Sequence, residues 1–370
     1  MSKRQGEACL QIRCLEVEIS EATTTGRARR KRAGGVTMKD VADRAGVSQM
    51  TVSSILNGQG SYRDATKRAV MAAIEELGYT PNLAAKRLAS AADNRIGVLL
   101  LTPATPYMLA VVTAAVEASG NLAAQLQIER WTSLTDAFLA VRKLLAAGTR
   151  GVIVPPPLSA STQLLDMIAA SGAIPVSIAP GGAPPAAHSC VWIDDEAATA
   201  EMTSWLVGMG HRRIAFITGD PEHASTGFRL EGYRRAMEAA GIDPSDQLVV
   251  QGDYKWKSGL EAAEMLLGQA DRPTAIFAGN DDMAAAVLSF AHGKGISVPD
   301  ELSVVGFDDT VLATAVWPKI TTVKQPVEQM VQLGAEILLK ELQSGRKSPK
   351  IVHRQLDFTI MARESAAPPR

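Results

Sequence analysis

After Asn94 the chain alternates between short apolar segments and segments of helical periodicity, and this alternation constrains its fold more than any other feature. Such alternation predicts parallel sheets that are covered by helices on both faces. The predicted strands are Ile96–Leu101, Gly151–Val154, Pro175–Ile178, Ile214–Thr218, Ala275–Ala278 and Val304–Phe307. The predicted helices are Thr135–Ala147, Ala197–Met209, Gly227–Ala240, Ser258–Gly268, Asp281–Gly293 and Glu328–Leu342. Most of the chain is therefore expected to be α/β.

The stretch VTMKDVADRAGVSQMTVSSILNG has a different pattern, that of two short helices separated by a tight turn. Thr37 and Asp40 have the spacing of a capping box at the start of the first helix. Gly46 is suited to the turn because glycine adopts a positive φ at little cost. A third helix is predicted over 64–77. Residues 36–81 are therefore expected to form a helix-turn-helix unit.

The formal net charge is −1, but it is unevenly distributed. Residues 1–90 contain 15 Lys and Arg against 9 Asp and Glu, whereas the remaining residues contain 23 against 30. A basic N-terminal part is expected where only that part approaches a polyanion such as DNA. Residues 1–35 lack periodicity and end in a basic run, which predicts a disordered extension. It is a solvated tail, an over-long start, or an arm that contacts phosphates.

Composition and motifs argue against several classes of protein. The longest apolar runs are far shorter than a membrane span, and the glutamate-bearing N-terminal segment does not resemble an export signal. Cys9, Cys14 and Cys190 form no disulfide framework, and no His/Cys cluster has zinc spacing. There is no P-loop, G-x-G-x-x-G, H-E-x-x-H or G-x-S-x-G motif. The sequence therefore predicts a cytoplasmic protein with no membrane partner, cofactor, metal or enzymatic activity.

Seven ordered motifs resemble those of the lactose-repressor (LacI/GalR) family, and the resemblance extends from Val36 to Ser365. The motifs are DVADRAGVSQMTVSSILNG, AIEELGYTPNLAAKRLA, GHRRIAFITG, FRLEGYRRAM, AGNDDMAAAVL, ISVPDELSVVGFDD and TTVKQP. The resemblance implies a small all-α helix-turn-helix DNA-binding domain followed by an α/β, two-lobed effector domain of the periplasmic-binding-protein type. It also implies a homodimer that binds an operator with approximate two-fold symmetry.

The domain boundaries are expected to follow these motifs. The expected parts are a disordered basic extension at 1–35, the helix-turn-helix domain at 36–81, a hinge helix and linker at 82–93, the effector domain at 94–365 and a tail at 366–370. The first lobe of the effector domain is expected at 94–192 and 326–352, and the second at 193–325 and 353–365. The C-terminal segment lacks the leucine heptads by which some relatives form tetramers, so a dimer is expected.

The second helix of a helix-turn-helix enters the major groove, where its exposed N-terminal residues reach base edges. Gln49 can pair with adenine and Met50 can contact a thymine methyl group, whereas Ser54 stands where many family members carry a guanine-reading arginine. Residues 83–90 resemble the family's hinge helix, in which Leu88 would enter the minor groove. The alternative for the second helix is a surface helix without groove contact. The alternative for residues 83–90 is a plain linker. The predicted DNA-binding residues are Lys39, Ser48, Gln49, Met50, Thr51, Ser53, Ser54, Asn57, Ala85, Lys86 and Leu88.

In open α/β sheets a ligand binds beyond the carboxyl ends of the strands. Asn280 and Asp308 follow predicted strands, and Arg229 lies in the helix after another one. These three match family positions that hydrogen-bond effector hydroxyls, and their amide, carboxylate and guanidinium groups together suit a polyol. Asp194 and Asp195 are expected to be structural residues at the crossover between the lobes. The predicted effector-binding residues are Thr102, Tyr107, Arg229, Tyr254, Trp256, Asn280, Asp308 and Gln325.

These features predict a transcriptional repressor whose partners are double-stranded operator DNA, a second copy of itself, and a small-molecule effector. The effector is expected to be a mono- or oligosaccharide or a derivative, and to shift the population between two lobe orientations that differ in DNA affinity. Prolines 155–157 and Pro180 depart from family patterns after two strands, so the identity of the effector is not transferable. Two alternatives are a transporter's solute-binding protein, which export would favour, and an enzyme, which turnover of a sugar would reveal.

Overall fold

The structure, a computed structural model, describes residues 36–56, 62–79, 94–182, 184–243, 248–344, 346 and 348–370. The chain divides into two compact units, residues 1–82 and 83–370. The predicted extension at 1–35 and hinge at 82–93 lie outside the described residues, as do four predicted DNA-binding residues. Those four are Asn57, Ala85, Lys86 and Leu88.

Secondary structure follows the predicted alternation. The helices are α1 (Met38–Ala45), α2 (Gln49–Leu56), α3 (Asp64–Leu77), α4 (Pro106–Asn121), α5 (Leu134–Ala146), α6 (Thr162–Ala170), α7 (Asp195–Gly208), α8 (Ala224–Ala239), α9 (Trp256–Leu267), α10 (Asp281–Gly293), α11 (Val311–Ala315) and α12 (Val327–Ser344). The strands are β1 (Arg95–Leu101), β2 (Gln125–Trp131), β3 (Gly151–Val154), β4 (Ile174–Ile178), β5 (Ser189–Trp192), β6 (Ile214–Ile217), β7 (Val249–Val250), β8 (Ala275–Ala278), β9 (Ser303–Asp308), β10 (Thr321–Lys324), β11 (His353–Gln355) and β12 (Thr359–Met361). Each predicted strand and helix that falls within the described residues is confirmed to within about three residues at either end.

The first unit is a three-helix bundle whose helix boundaries follow from caps and a turn. The Thr37 amide donates to the Asp40 carboxylate at 2.8 Å, and the Asp40 amide donates to the Thr37 hydroxyl at 3.3 Å. This confirms the predicted capping box of α1. Gly46 ends α1 with a φ of 67°, as the turn requires. The core of the bundle consists of Val41, Ala42, Val52, Val70, Ala73 and Tyr79.

The second unit contains two six-stranded sheets, one in each lobe. The first has the order β11-β5-β4-β3-β1-β2 and is parallel throughout. The second has the order β12-β10-β9-β8-β6-β7, in which only the β12–β10 pair is antiparallel. One buried apolar cluster includes residues of both sheets, such as Val98 of β1 and Phe216 of β6. The two lobes therefore share a continuous core.

The chain crosses between the lobes three times, and the last crossing lies later than expected. Strand β11 pairs with β5, so that His353 faces Cys190 in the first sheet. The assignment of 353–365 to the second lobe is therefore wrong for 353–355. This three-residue strand carries no apolar signal because two of its side chains are exposed. Its place is fixed only by pairing with a strand that lies far away in sequence.

The last residues of the chain pack against the second lobe. The Ala367 carbonyl accepts hydrogen bonds from the Ser303 hydroxyl at 2.9 Å and from the His211 ring at 3.0 Å. Ser303 begins β9, so this segment covers the amino end of the second sheet, opposite the strand ends that form the cleft described below. Among the residues that the structure describes, no helix is long and apolar enough to cross a membrane.

Candidate functional site: an effector cleft and a recognition helix

The carboxyl ends of parallel strands from both sheets meet at a cleft between the lobes, where ligands of open α/β sheets bind. An inner cavity of about 80 Å³ adjoins an outer chamber of about 890 Å³. The first lobe supplies apolar wall residues, including Met108 of α4. The second lobe supplies most of the charged groups. The polar residues that line the inner cavity include Tyr107, Asp195, Arg229, Asn280, Asp308 and Gln325.

Arg229 of α8 is the central charged group of the cavity. Its Nε donates to Asp195 Oδ1 at 2.8 Å and its Nη1 donates to the Gly279 carbonyl at 2.6 Å. The guanidinium lies over the Phe307 ring, 3.6 Å from its centroid, and only 6% of the residue is exposed. Burial opposes the charge, but Asp195, Tyr254 and Asp308 together outweigh it, so the pKa of Arg229 lies above its ordinary value. The cavity therefore contains a permanent cation.

Asp308, the last residue of β9, is buried beside this cation. Its Oδ1 accepts a hydrogen bond from Gln325 Nε2 at 2.7 Å and lies 3.8 Å from Arg229 Nη2. Burial raises the pKa of Asp308 well above its ordinary value, although Arg229 opposes the shift. The guanidinium is committed more closely to Asp195, which leaves Asp308 less compensated. A ligand hydroxyl could supply a further hydrogen bond to this carboxylate.

Asn280 holds the loop that carries Tyr254. Its Nδ2 donates to the Tyr254 carbonyl at 2.9 Å, and its Oδ1 caps α10 by accepting from the Met283 amide at 3.0 Å. Tyr254 has a positive φ of 64°, and its hydroxyl lies 2.8 Å from that of Thr226. Thr226 donates its own proton to the Asp220 carbonyl, so it accepts one from Tyr254. Asn280 thus shapes the cavity wall in addition to lining it.

Two buried polar atoms in the cavity wall lack a partner among the residues that the structure describes. They are the Tyr107 hydroxyl and Gln325 Oε1. Leaving a buried polar group without a hydrogen bond costs about 1–3 kcal/mol. Burial raises the pKa of Tyr107, so this hydroxyl keeps its proton and can donate it. The cavity wall therefore contains one donor of the first lobe and one acceptor of the second that are buried without a hydrogen bond among the described residues.

The structure brings most of the predicted effector residues together, but not all of them. Tyr107, Arg229, Tyr254, Asn280, Asp308 and Gln325 line the inner cavity. Thr102 and Trp256 border only the outer chamber. The Thr102 hydroxyl donates to the Trp131 carbonyl at 3.1 Å, so it is already engaged in the first lobe.

Asp195 was expected to be structural, and this expectation is incomplete. Asp194 caps α7 by accepting from the Ala197 amide at 2.9 Å, as a crossover residue would. Asp195 is 2% exposed, lines the inner cavity and pairs with Arg229. The sequence signal that could have identified Asp195 is the pair of adjacent aspartates at the start of α7. Once the first aspartate caps the helix, the second is left for another partner.

The exposed face of α2 carries the predicted base-contacting residues. Ser48 caps the helix by accepting from the Thr51 amide at 3.1 Å. Gln49 and Met50 are exposed, and 78% of Met50 is accessible. Val52 faces the core of the bundle. An exposed methionine beside a polar side chain at a helix N-terminus fits a contact surface. Of the other predicted residues, Lys39 is exposed, and Thr51, Ser53 and Ser54 are half-buried.

Two protein-family models and several known proteins match this chain. Residues 37–82 match the bacterial regulatory proteins of the lacI family, and residues 203–366 match the periplasmic binding protein-like domain. Catabolite control protein A of Priestia megaterium is 31% identical over 335 residues, which cover 89% of this chain and 99% of that protein. The chain belongs to the LacI family. As a LacI-family protein it is a DNA-binding transcriptional regulator with an effector-binding domain, and not an enzyme.

Solved structures of LacI-family regulators share the fold. A complex of the transcriptional regulator CelR with cellobiose is 31% identical, has a TM-score of 0.67 and covers 89% of this chain and 99% of that one. The lac repressor dimer bound to operator and the anti-inducer ONPF is 26% identical, has a TM-score of 0.64 and covers 90% and 100%. These similarities extend over both described units of the LacI-family chain.

Proposed function

We propose that this LacI-family regulator is a repressor that binds a pseudo-palindromic operator as a homodimer in the cytoplasm and releases it when a sugar enters the cleft. One observation carries the sugar assignment: the inner cavity gathers a cation, a carboxylate and two unsatisfied polar atoms at the strand ends of two lobes. Sugar hydroxyls donate and accept hydrogen bonds, so one molecule can accept from the guanidinium and donate to the carboxylate. The CelR–cellobiose complex supports a carbohydrate ligand.

Recognition of the operator is assigned to the exposed start of α2. Gln49 can make two hydrogen bonds to adenine, and Met50 can contact a thymine methyl group. Ser54 has a hydroxyl in place of a guanidinium, so its position contributes little discrimination for guanine. The lac repressor dimer bound to operator supports two copies acting on two half-sites. The effector-bound and DNA-bound states then compete through the orientation of the lobes.

The coupling follows from the division of the site between lobes. Tyr107 lies in α4 of the first lobe, whereas Arg229 and Asp308 belong to the second. A sugar that contacts all three favours one lobe orientation by its difference in affinity between the orientations. Coupling free energies of this kind are about 1–3 kcal/mol, or about 5- to 150-fold in DNA affinity. The effector therefore needs contacts to both lobes in order to induce.

The test is footprinting of the full-length protein on its own upstream DNA in the presence of a panel of sugars. We expect a protected near-palindrome that one sugar releases, together with light scattering that gives a dimer. Asp308→Asn keeps the shape of the side chain and the Gln325 hydrogen bond but removes the carboxylate, so we expect it to protect the DNA and to resist release.

The matched control is Asp271→Asn, because the Asp271 side chain is 85% exposed and pairs only at the surface. We expect this variant to respond as the unmodified protein does. The proposal is contradicted if no near-palindrome is protected with or without sugar. If Asp308→Asn releases the DNA at the same sugar concentration as the unmodified protein, the placement of the effector at Asp308 is contradicted.

A further inference from the structure

A short loop of the first lobe touches the second lobe beside the inner cavity. Residues 179–182, here called the latch loop, follow β4 directly and belong to the first lobe. The Ala179 amide donates to the Val191 carbonyl at 2.9 Å, and the Ala179 carbonyl accepts from the Ser159 hydroxyl at 3.3 Å. The base of the latch loop is therefore fastened to its own lobe by two hydrogen bonds.

The backbone of the latch loop has little freedom. Ala179, Gly181 and Gly182 have φ angles of 46°, 71° and 72°. The ring of Pro180, which lies between them in sequence, fixes its own φ near about −65°. Glycine adopts a positive φ at little cost, whereas alanine does so only where its surroundings hold it there. The loop therefore has few alternative conformations.

The tip of the latch loop lies against the start of α8 in the second lobe. A Cβ added to Gly181 would stand 2.7 Å from Ser225 Cα and 2.9 Å from the carbonyl carbon of Ala224. A Cβ added to Gly182 would overlap the Phe228 ring. No side chain fits at those separations, so this orientation of the lobes requires glycine at both positions. The two glycines allow the backbones of the two lobes to meet.

The two sides of this contact also form part of the wall of the inner cavity. Ala179 lines the cavity from the first lobe, and Ser225 lines it from the second. The cavity measures about 80 Å³, whereas pockets that hold a small molecule usually measure about 300–1,000 Å³. Each wall is held within its own lobe, so the cavity grows when the lobes move apart. The same movement separates the latch loop from Ser225.

We propose that the latch loop holds the lobes in this orientation and that an effector must break the contact in order to occupy the inner cavity at Arg229 and Asp308. The contact is made by protein groups alone, so it favours this orientation before any ligand binds. A ligand binds with an affinity reduced by the fraction of protein in the binding-competent state. The latch loop thereby sets the effector concentration at which the regulator responds. This role in the response rests on the proposed function, whereas the contact between the lobes does not.

The first test measures the separation of the lobes without any ligand. Spin labels are attached to the full-length protein at Leu139→Cys in the first lobe and Met265→Cys in the second, where both native side chains are exposed. Cys9 and Cys14 are replaced by serine, and Cys190 is retained because it is buried. An excess of unlabelled protein limits the signal to pairs of labels on one chain. Pulsed electron paramagnetic resonance then gives the distribution of distances between the lobes.

Two variants break the contact in different ways. Gly181→Ala brings a Cβ against the backbone of α8, and Phe228→Ala removes the ring that lies on Gly182, so each should give a longer mean distance. Gly182→Ala combined with Phe228→Ala should lengthen it no more than the larger single change, because both disrupt one contact. Gly172→Ala is the matched control, since Gly172 has a φ of 84° but space for a Cβ, and it should change nothing. An unchanged distribution in both Gly181→Ala and Phe228→Ala overturns the latch.

The second test is calorimetric titration of the full-length protein with glucose, galactose, xylose and cellobiose. For a sugar that the unmodified protein binds, Phe228→Ala should bind at least about threefold more tightly, because less of the protein is held in the closed orientation. Glu231→Ala, at an exposed position of the same helix, should leave the affinity unchanged. Equal or weaker binding by Phe228→Ala overturns the claim that the effector breaks the contact. If no sugar binds to any of these proteins, the proposed sugar response fails, and the distance measurement still decides whether the latch exists.

Discussion

Replacing Arg229 with methionine tests whether the buried charges of the cleft depend on one another. The change keeps an apolar chain over Phe307 but removes the hydrogen bonds to Asp195 and Gly279, at 2.8 and 2.6 Å, and the attraction to Asp308. Two buried carboxylates then lose their common cation. Removing one partner of a buried ion pair costs about 3–5 kcal/mol. We expect this loss in the free energy of unfolding at pH 7.

The loss should depend on pH, and its sign follows from Asp308. The ordinary pKa of this carboxyl is 3.8, and burial raises it well above that in the folded protein. The folded state therefore holds the proton more tightly than the unfolded state, and stability falls as the pH rises from about 3.8 through the folded pKa. Arg229 opposes that rise in pKa. Its removal therefore raises the pKa of Asp308 further, and the pH range over which this carboxylate lowers stability extends upward. The deficit of the variant should be smaller at pH 5 than at pH 7.5.

Urea unfolding followed by tryptophan fluorescence measures this deficit in the second unit, because all five tryptophans lie after Asn94. Arg235→Met is the matched control, since Arg235 lies on the same helix, is 54% exposed and pairs with Glu196 at the surface. It should cost under about 1 kcal/mol. The double variant Arg229→Met/Asp195→Asn should recover at least about 1 kcal/mol of the loss. A deficit below about 1 kcal/mol, or one that does not change with pH, refutes the reasoning.

Three further changes test other parts of the protein. Gly219→Ala should abolish most sugar binding without unfolding the protein, because the added Cβ would overlap the Tyr254 ring in the cavity wall. Calorimetric titration with the sugar measures the loss. An unchanged affinity would show that the position of Tyr254 is not needed for binding. Thr37→Ala should lower the local stability of α1 by about 1 kcal/mol. Amide hydrogen exchange should then become faster in α1 and not in α3. An equal change in both helices would argue against a local effect of the cap. Ser54→Arg should shift operator preference toward guanine at one position of each half-site by about 1–3 kcal/mol, as measured by binding to a set of operator variants; an unchanged preference would place this residue away from the bases.

Strands that are continuous apolar runs could be predicted from sequence, whereas the edge strands and the interior strands β5 and β10, which contain polar residues, could not. Gly151–Val154 and Ala275–Ala278 are buried at every position, so each is a continuous apolar run. Strand β2 (Gln125–Trp131) lies at the edge of the first sheet, exposes Gln125, Ile128 and Arg130, and buries only Trp131, so it lacks the continuous apolar run of a central strand. Strand β11 is only three residues long. For these strands, the pairing partner decides the structure and local composition does not.

The same distinction applies to the cleft. Asp308 and Asn280 could be identified because each stands directly at the end of a buried strand, where the fold itself places ligand-binding groups. Asp195 follows another aspartate at the start of a helix, where a carboxylate is expected for local reasons. Its role depends on Arg229, which comes to it from another helix. Sequence patterns identify positions on strands and helices, but not the pairing of two charges that tertiary packing brings together.

Backbone strain is concentrated where the ligand is proposed to bind. Of the five described non-glycine residues with positive φ, Ala179, Tyr254 and Asp308 line the inner cavity, and Asp309 follows directly after. Each such conformation costs about 1–3 kcal/mol and persists only where the surrounding structure over-determines it. A wall that is held in this way before a ligand arrives would need little of the binding energy to shape it. That energy is left for the contacts that differ between lobe orientations, and those contacts are the source of any control over DNA affinity.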